Sequence, residues 1–331
     1  MKIFSCFTFY LLVVFSLQAQ DSTYAEKLGF PKNARVIILH MDDAGMSYSS
    51  DRGIEKVFSK GIANSTSVMM PCPWVPQIVR YIKENPGTDA GLHLTLTSEW
   101  TDYRWGPLAG AAAVPGLVDS TGSLWPDVPD VVRHASAEEV DKEMRAQLAR
   151  AEKMGFHPTH LDSHMGTLFA SSDFMMKYIR LGIEKQIPVM FPGGNDLLIQ
   201  DQTKLPDAAL GQFRQLGKMI WNAGLPVLDD LHNYSYDWKI PNGMKTDDAS
   251  LCKWRVALYE ETLQKMKPGV AMVIMHCTDP TEVFSQISES GNIRKADMLA
   301  MLDPGFKKFL HDNGFILTTW RELMQRRQKA K

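Results

Sequence analysis

Short apolar runs recur along this chain, and a stretch with helical spacing follows most of them. Val36–Leu39, "GLHLTLT" and "GVAMVIMH" are strand-like, while "SSDRGIEKVFSKG" and "CKWRVALYEETLQKM" place apolar residues at helical spacing. Strands alternating with helices leave few solutions, because a strand returning through a helix pairs in parallel. The expected fold is therefore α/β, with a parallel sheet that is open or closed into a barrel. In both cases functional groups gather at the carboxyl ends of the strands.

The first run ends unusually. "VIILHMDDAGMS" carries a buried-type strand into His40, Met41 and two adjacent acids, Asp42 and Asp43. Two like charges side by side repel, and each loses solvation if buried. A solvated Asp/Gly turn is the bland explanation. The other runs favour a different one. His93 lies near the end of "GLHL", His160, Asp162 and His164 lie in or just after "THLDSH", and His276 ends "VAMVIMH". Four strand-like runs thus deliver His or Asp at or near one end, and His93, His160, His164 and His276 are four of the nine histidines. One such histidine is more often a satisfied core residue, but the set together points to a site. An Asp with two His suits Zn²⁺ or a similar divalent ion, with positions left for water and substrate. One acid of the pair would bind the ion and its neighbour would be free as a general base.

Between these runs, Ser136 and Glu139 form a capping-box pattern that opens a helix closed by Gly155. Further helices are expected over 74–83, roughly 171–185 and around 209–223, and in two pieces along "IRKADMLAMLDPGFKKFLHDNG". "IANSTSVMM", "IPVMF" and a closing "FILTTW" are strand-like. Residues 98–135 look like a long surface loop and 192–247 are less regular.

Residues 1–20 have the layout of a secretory signal peptide: Met1-Lys2, an apolar stretch from Ile3 to Leu17, then Ala19 near a cleavage point. This leaves one domain over 21–331, periplasmic or secreted, with no stable membrane insertion. Cys6 is poorly placed for lipid attachment. The remaining cysteines, Cys72, Cys252 and Cys277, allow at most one disulfide and form no CxxC pair for a thiolate zinc site. A net charge of −2 gives no bulk attraction to nucleic acid. Oligomeric state is open, with a homodimer among the expectations.

In order along the chain, "HMDDAGMS", "GIANSTSVM", "GLHLTLT", "PTHLDSHMG" and "VIMHCTDP" resemble the YdjC-like carbohydrate deacetylases, relatives of the polysaccharide deacetylases. The resemblance continues through "RKADML" and "GFILTTWREL". It implies a deformed, TIM-like (β/α) barrel and one divalent metal ion, zinc or magnesium. It implies hydrolysis of an N-acetyl group on an oligosaccharide or amino sugar. By position, Asp43, His93 and His164 would be the metal ligands, Asp42 the base and His276 the acid. His160 and Asp162 would orient a ligand by hydrogen bonds. Arg294 and Asp297, one helical turn apart, would form a pair lining the mouth of the site. Many relatives continue "HLDSH" with further histidines; here Met165-Gly166-Thr167 follows, which removes candidate substrate contacts or an alternative ligand.

Trp100, Trp105, Trp125, Trp221, Tyr234, Tyr236 and Trp238 lie in the two less regular segments. Each could stack on a sugar ring, although packing between elements is at least as common. Cys277 beside His276 suggests a Cys–His nucleophile only weakly, because neighbours on a strand point to opposite faces. Two other functions fit the same scaffold. A phosphoesterase would want a basic pocket, and no Lys/Arg cluster accompanies these motifs. A non-catalytic sugar-binding protein would have lost the base or a ligand, whereas Asp42, Asp43, His93, His164 and His276 are all present.

Overall fold

A computed structural model describes residues 22–204 and 206–330; the leader expected over 1–20 lies outside them. Among the described residues, seven strands form one sheet: β1 (Arg35–Ala44), β2 (Ser65–Val68), β3 (Asp89–Leu94), β4 (Leu161–Ser163), β5 (Asp230–His232), β6 (Gly269–Met275) and β7 (Phe315–Leu317). Their order is β4-β3-β2-β1-β6-β5, with β7 added to β1, and every strand pairing is parallel. Two isolated parallel bridges, Leu161 to Val189 and Pro192 to Leu228, carry the pairing from β4 round toward β5. The sheet therefore curls into the expected (β/α) barrel, with helices between the strands.

The barrel is deformed at β1. Its β6 edge is paired from Arg35 to Met41, but its other edge is shared. β7 takes Arg35–Ile37 and β2 takes the part from His40 on. Asn64 fills the junction: its Oδ1 accepts from Leu39 N–H and its Nδ2 donates to the Thr318 carbonyl. The apolar run explains the position of β1. Val36–Leu39 and Met41 are fully buried, as a strand covered on both faces requires.

The helices largely follow the sequence. Ser47 caps Tyr48–Lys60, and the capping box of Ser136 and Glu139 opens Ala137–Lys153. Three expectations need correction. The 98–135 segment is not a plain surface loop: it holds a helix, Val128–His134, and buries Trp105, Val114, Leu117 and Leu124. "IPVMF" makes only an isolated bridge at Val189, while β5 and the helix Leu197–Thr203 lie in a region read as irregular. "FILTTW" is a strand only to Leu317, and Trp320 starts the last helix.

Candidate active site

β1, β3, β4 and β6 all deliver polar side chains at their carboxyl ends. Asp42 and Asp43 close β1, His93 precedes the end of β3, Asp162 lies in β4 with His164 just after it, and His276 follows β6. Asp43 takes a left-handed backbone, φ +66°, a conformation Asp tolerates better than most side chains. That twist interrupts the β1–β2 register between Met41 and Ala44. Met165 and Gly166 are also left-handed, so the chain turns sharply after His164.

Three donor atoms converge here. Asp43 Oδ1 is 3.5 Å from His93 Nε2 and 3.5 Å from His164 Nδ1, and the two nitrogens are 3.2 Å apart. Ligand atoms about 2.1 Å from a tetrahedral zinc would stand roughly 3.4 Å apart, so the spacing suits a small divalent ion. Asp43 Oδ1 is buried and has no hydrogen-bond partner. An orphaned carboxylate oxygen facing two imidazoles is what a cation would satisfy.

Each ligand is held from behind. His93 Nδ1 donates to Asp162 Oδ1 at 2.7 Å, leaving Nε2 toward the triad. His164 Nε2 lies 3.2 Å from Glu99 Oε2, and Nδ1 faces Asp43. Arg294 Nη1 donates to Asp43 Oδ2 at 2.6 Å. His93 and Asp162 are register partners across β3 and β4, so the hydrogen bond follows from the strand pairing.

The charges agree with a cation site. Burial works against ionising Asp43, yet Arg294, His164 and His93 hold it well below the usual carboxylate range. Burial likewise opposes a charge on His164, but Glu99 and Asp43 raise it to about 9. Asp42 and Asp162 hold His93 well above an ordinary histidine, again against burial. Carboxylates thus outweigh the fixed positive charge around the triad, an imbalance that a divalent ion would neutralise.

Asp42 is beside the triad, its Oδ2 3.8 Å from His93 Nε2, and retains a little exposure. His276 is anchored through its backbone N–H to Asp297 Oδ2, its ring lies 4.9 Å from that of Tyr236, and its Nδ1 has no partner. Burial and the Arg294 charge lower its pKa.

Several expectations change. Arg294 and Asp297 do not pair with each other, nor do they line the mouth. Both are buried: Arg294 bonds Asp43, while Asp297 accepts from Arg255 and Tyr259. Their shared helix faces them toward different partners beneath the site. His160 does not hydrogen-bond a ligand. Its Nδ1 meets Thr159, its Nε2 is 3.6 Å from Asp162, and its ring stacks on Trp320. Trp125, Trp221 and Trp238 pack against helices, and Trp105 is buried against Trp100 and Tyr103 of its own segment. Tyr236 and Trp100 flank the Arg294 guanidinium, at 5.1 and 5.9 Å from ring centre to Cζ. Cys72, Cys252 and Cys277 are free thiols, and burial pushes the Cys277 thiol up, unlike a nucleophile.

Two residues escaped the sequence reading. His40 shares a face with Asp42 by strand alternation, a signal available in "HMD". Glu99 follows β3 and left no periodic signal.

The sequence profile of YdjC-like proteins matches residues 36–312. The chain belongs to the YdjC-like family. Within it, the chain is 28% identical over 300 residues to a protein of Thermus thermophilus named carbohydrate deacetylase, covering 91% of this chain and 97% of that one. A protein of the same name from Thermoanaerobacter pseudethanolicus is 22% identical over 286 residues, covering 86% and 98%. The fold is similar to the crystal structure of an Enterococcus faecalis protein described as a candidate cellobiose-phosphate cleavage protein. That match has a TM-score of 0.69 at 18% identity and covers 88% of this chain and 99% of the other. The YdjC-like match spans all four strand ends that build the site.

Proposed function

We propose that this YdjC-like protein is a carbohydrate deacetylase that hydrolyses an N-acetyl group on a sugar. The observation that carries the reading is the convergence of Asp43 Oδ1, His93 Nε2 and His164 Nδ1 beside a second, free acid. Relatives named carbohydrate deacetylase, matched over nearly their whole length, supply the substrate class.

Asp43, His93 and His164 would hold a divalent ion, zinc or magnesium. Bound there, the ion would supply a Lewis acid that polarises the acetyl carbonyl and acidifies water. Asp42 takes the proton from the attacking water, and Asp42 Oδ2 is the oxygen nearer the triad. His276, just after the neighbouring strand β6, gives a proton to the departing amine. Arg294 fixes Asp43 from below and is spent on that carboxylate, so it is not offered to a substrate phosphate. This favours amide hydrolysis over a phosphoesterase. With base, acid and ligand set together, the site also fits catalysis better than mere sugar binding.

The leader-like residues 1–20 favour export, and the substrate would then lie in the periplasm or outside the cell. The test of function is acetate release from a panel of N-acetylated oligosaccharides, with Asp42→Asn alongside. Release by the wild type that falls by at least a hundredfold in Asp42→Asn is expected. Release from phosphate or other esters, and from no acetylated sugar, would refute the reading.

A further inference from the structure

His40 is fully buried on β1 and belongs to none of the roles assigned above. Its Nε2 is 3.1 Å from Asp42 Oδ1 and 3.0 Å from Asp162 Oδ2. Its Nδ1 is 2.9 Å from Ser65 Oγ, and Ser67 Oγ lies 3.1 Å from Nε2 and 3.4 Å from Asp42 Oδ1. His40 and Ser65 are register partners across β1 and β2. Ser65 and Ser67 share one face of β2, as His40 and Asp42 share one face of β1. The two strands thus build a polar cradle around a single imidazole.

The cradle joins two parts of the site. Asp162 turns one oxygen to His93 Nδ1 and the other to His40, while Asp42 turns one oxygen to His40 and the other toward the triad. A run of contacts therefore leads from the ligand His93 through Asp162 and His40 to the base. We propose that His40 is a positioning residue that locks Asp42 and the Asp162–His93 pair into one geometry, so that base and ion are held in register. A proton on Nε2 is required, since two carboxylate oxygens face that nitrogen and neither can donate. Burial opposes a charge on this ring, but Asp162 and Asp42 raise it to about 9. The other groups facing the cradle are the hydroxyls of Ser65 and Ser67 and the His160 ring, whose centre lies 5.0 Å away.

The inference rests on reading Asp42 as the base, but two of its readouts need no substrate. The experiment compares wild type with His40→Leu and His40→Gln, the second keeping an N–H donor. Thermal unfolding monitors the fold, and zinc titration into metal-stripped protein gives the ion affinity. In His40→Leu the zinc Kd is expected to weaken about tenfold or more, the scale for losing a group behind a ligand. kcat is expected to fall while KM holds, and His40→Gln should recover part of both. A lowered melting temperature with unchanged zinc Kd and kcat would show a purely structural residue and overturn the proposal. If neither variant folds, ¹⁵N-histidine spectra of the wild type decide. A proton on His40 Nε2 supports the lock, and a bare Nε2 overturns it. Absence of acetate release from every sugar would count against the deacetylase reading alone, leaving the zinc affinities and spectra to judge His40.

Discussion

Arg294 grips one oxygen of Asp43 at 2.6 Å and leaves the other, Oδ1, without a donor and facing two imidazoles. The guanidinium is itself held by Ser290 Oγ at 2.9 Å, so the carboxylate has little freedom to rotate. Arg294→Met should weaken divalent-ion affinity roughly tenfold, by analogy with other groups that orient a ligand. Arg294→Lys should recover little, because an ammonium cannot make both contacts in one plane. Ion titration of metal-stripped protein checks both; equal affinity in wild type and Arg294→Met would count against this role.

His276 has a pKa lowered below the ordinary 6.5 by burial and by Arg294. If its protonated form delivers the proton to the amine, kcat/KM falls as pH rises through that lowered value. The alkaline limb of the profile should therefore begin below 6.5 and vanish in His276→Gln, with kcat reduced about 10²–10⁴-fold. A limb that persists in the variant would assign it to another group.

Asp196 lies far along the chain from these motifs, buried, with neither carboxylate oxygen hydrogen-bonded. Burial, then the Asp230 charge, raise its pKa to about 7. An acid whose folded pKa exceeds its unfolded value costs stability as pH rises from the unfolded value, here 3.8, through the folded one. Asp196→Asn should thus stabilise the protein at pH 8, by on the order of 2 kcal/mol, and much less at pH 4. Urea unfolding at the two pH values measures the difference. A pH-independent effect would place the gain in the left-handed backbone, φ 55°, which Asn also favours.

Gly91 has a packing reason. A Cβ there would stand 2.5 Å from the His160 ring, which is already stacked on Trp320. Gly91→Ala should cost about 1–3 kcal/mol by overpacking. Thermal unfolding reads the loss, and an unchanged melting temperature would mean that His160 has room to move.

How much of this was legible beforehand depended on the physical signal. β1 and β6 announced themselves because both faces are buried, which leaves an unbroken apolar run. β5 did not, being three residues, "DLH", with two polar side chains held by the helix Leu197–Thr203. Asp43, His93 and His164 could be placed together because parallel strands bring their carboxyl ends to one side. The partner of Arg294 could not be read. Helical spacing pairs it with Asp297, whereas the carboxylate it binds is 251 residues away. His40 was visible as a residue but not as a link, since that depends on the register of β1 against β2.

The most direct measurement is stoichiometric. Metal-stripped protein would be titrated with zinc or magnesium while acetate release from an N-acetylated oligosaccharide is followed, in wild type and in Asp43→Asn. The expected result is no release from stripped protein, full release at one ion per chain, and no recovery in Asp43→Asn. Undiminished release after stripping, or normal recovery by Asp43→Asn, would contradict the Asp43–His93–His164 centre.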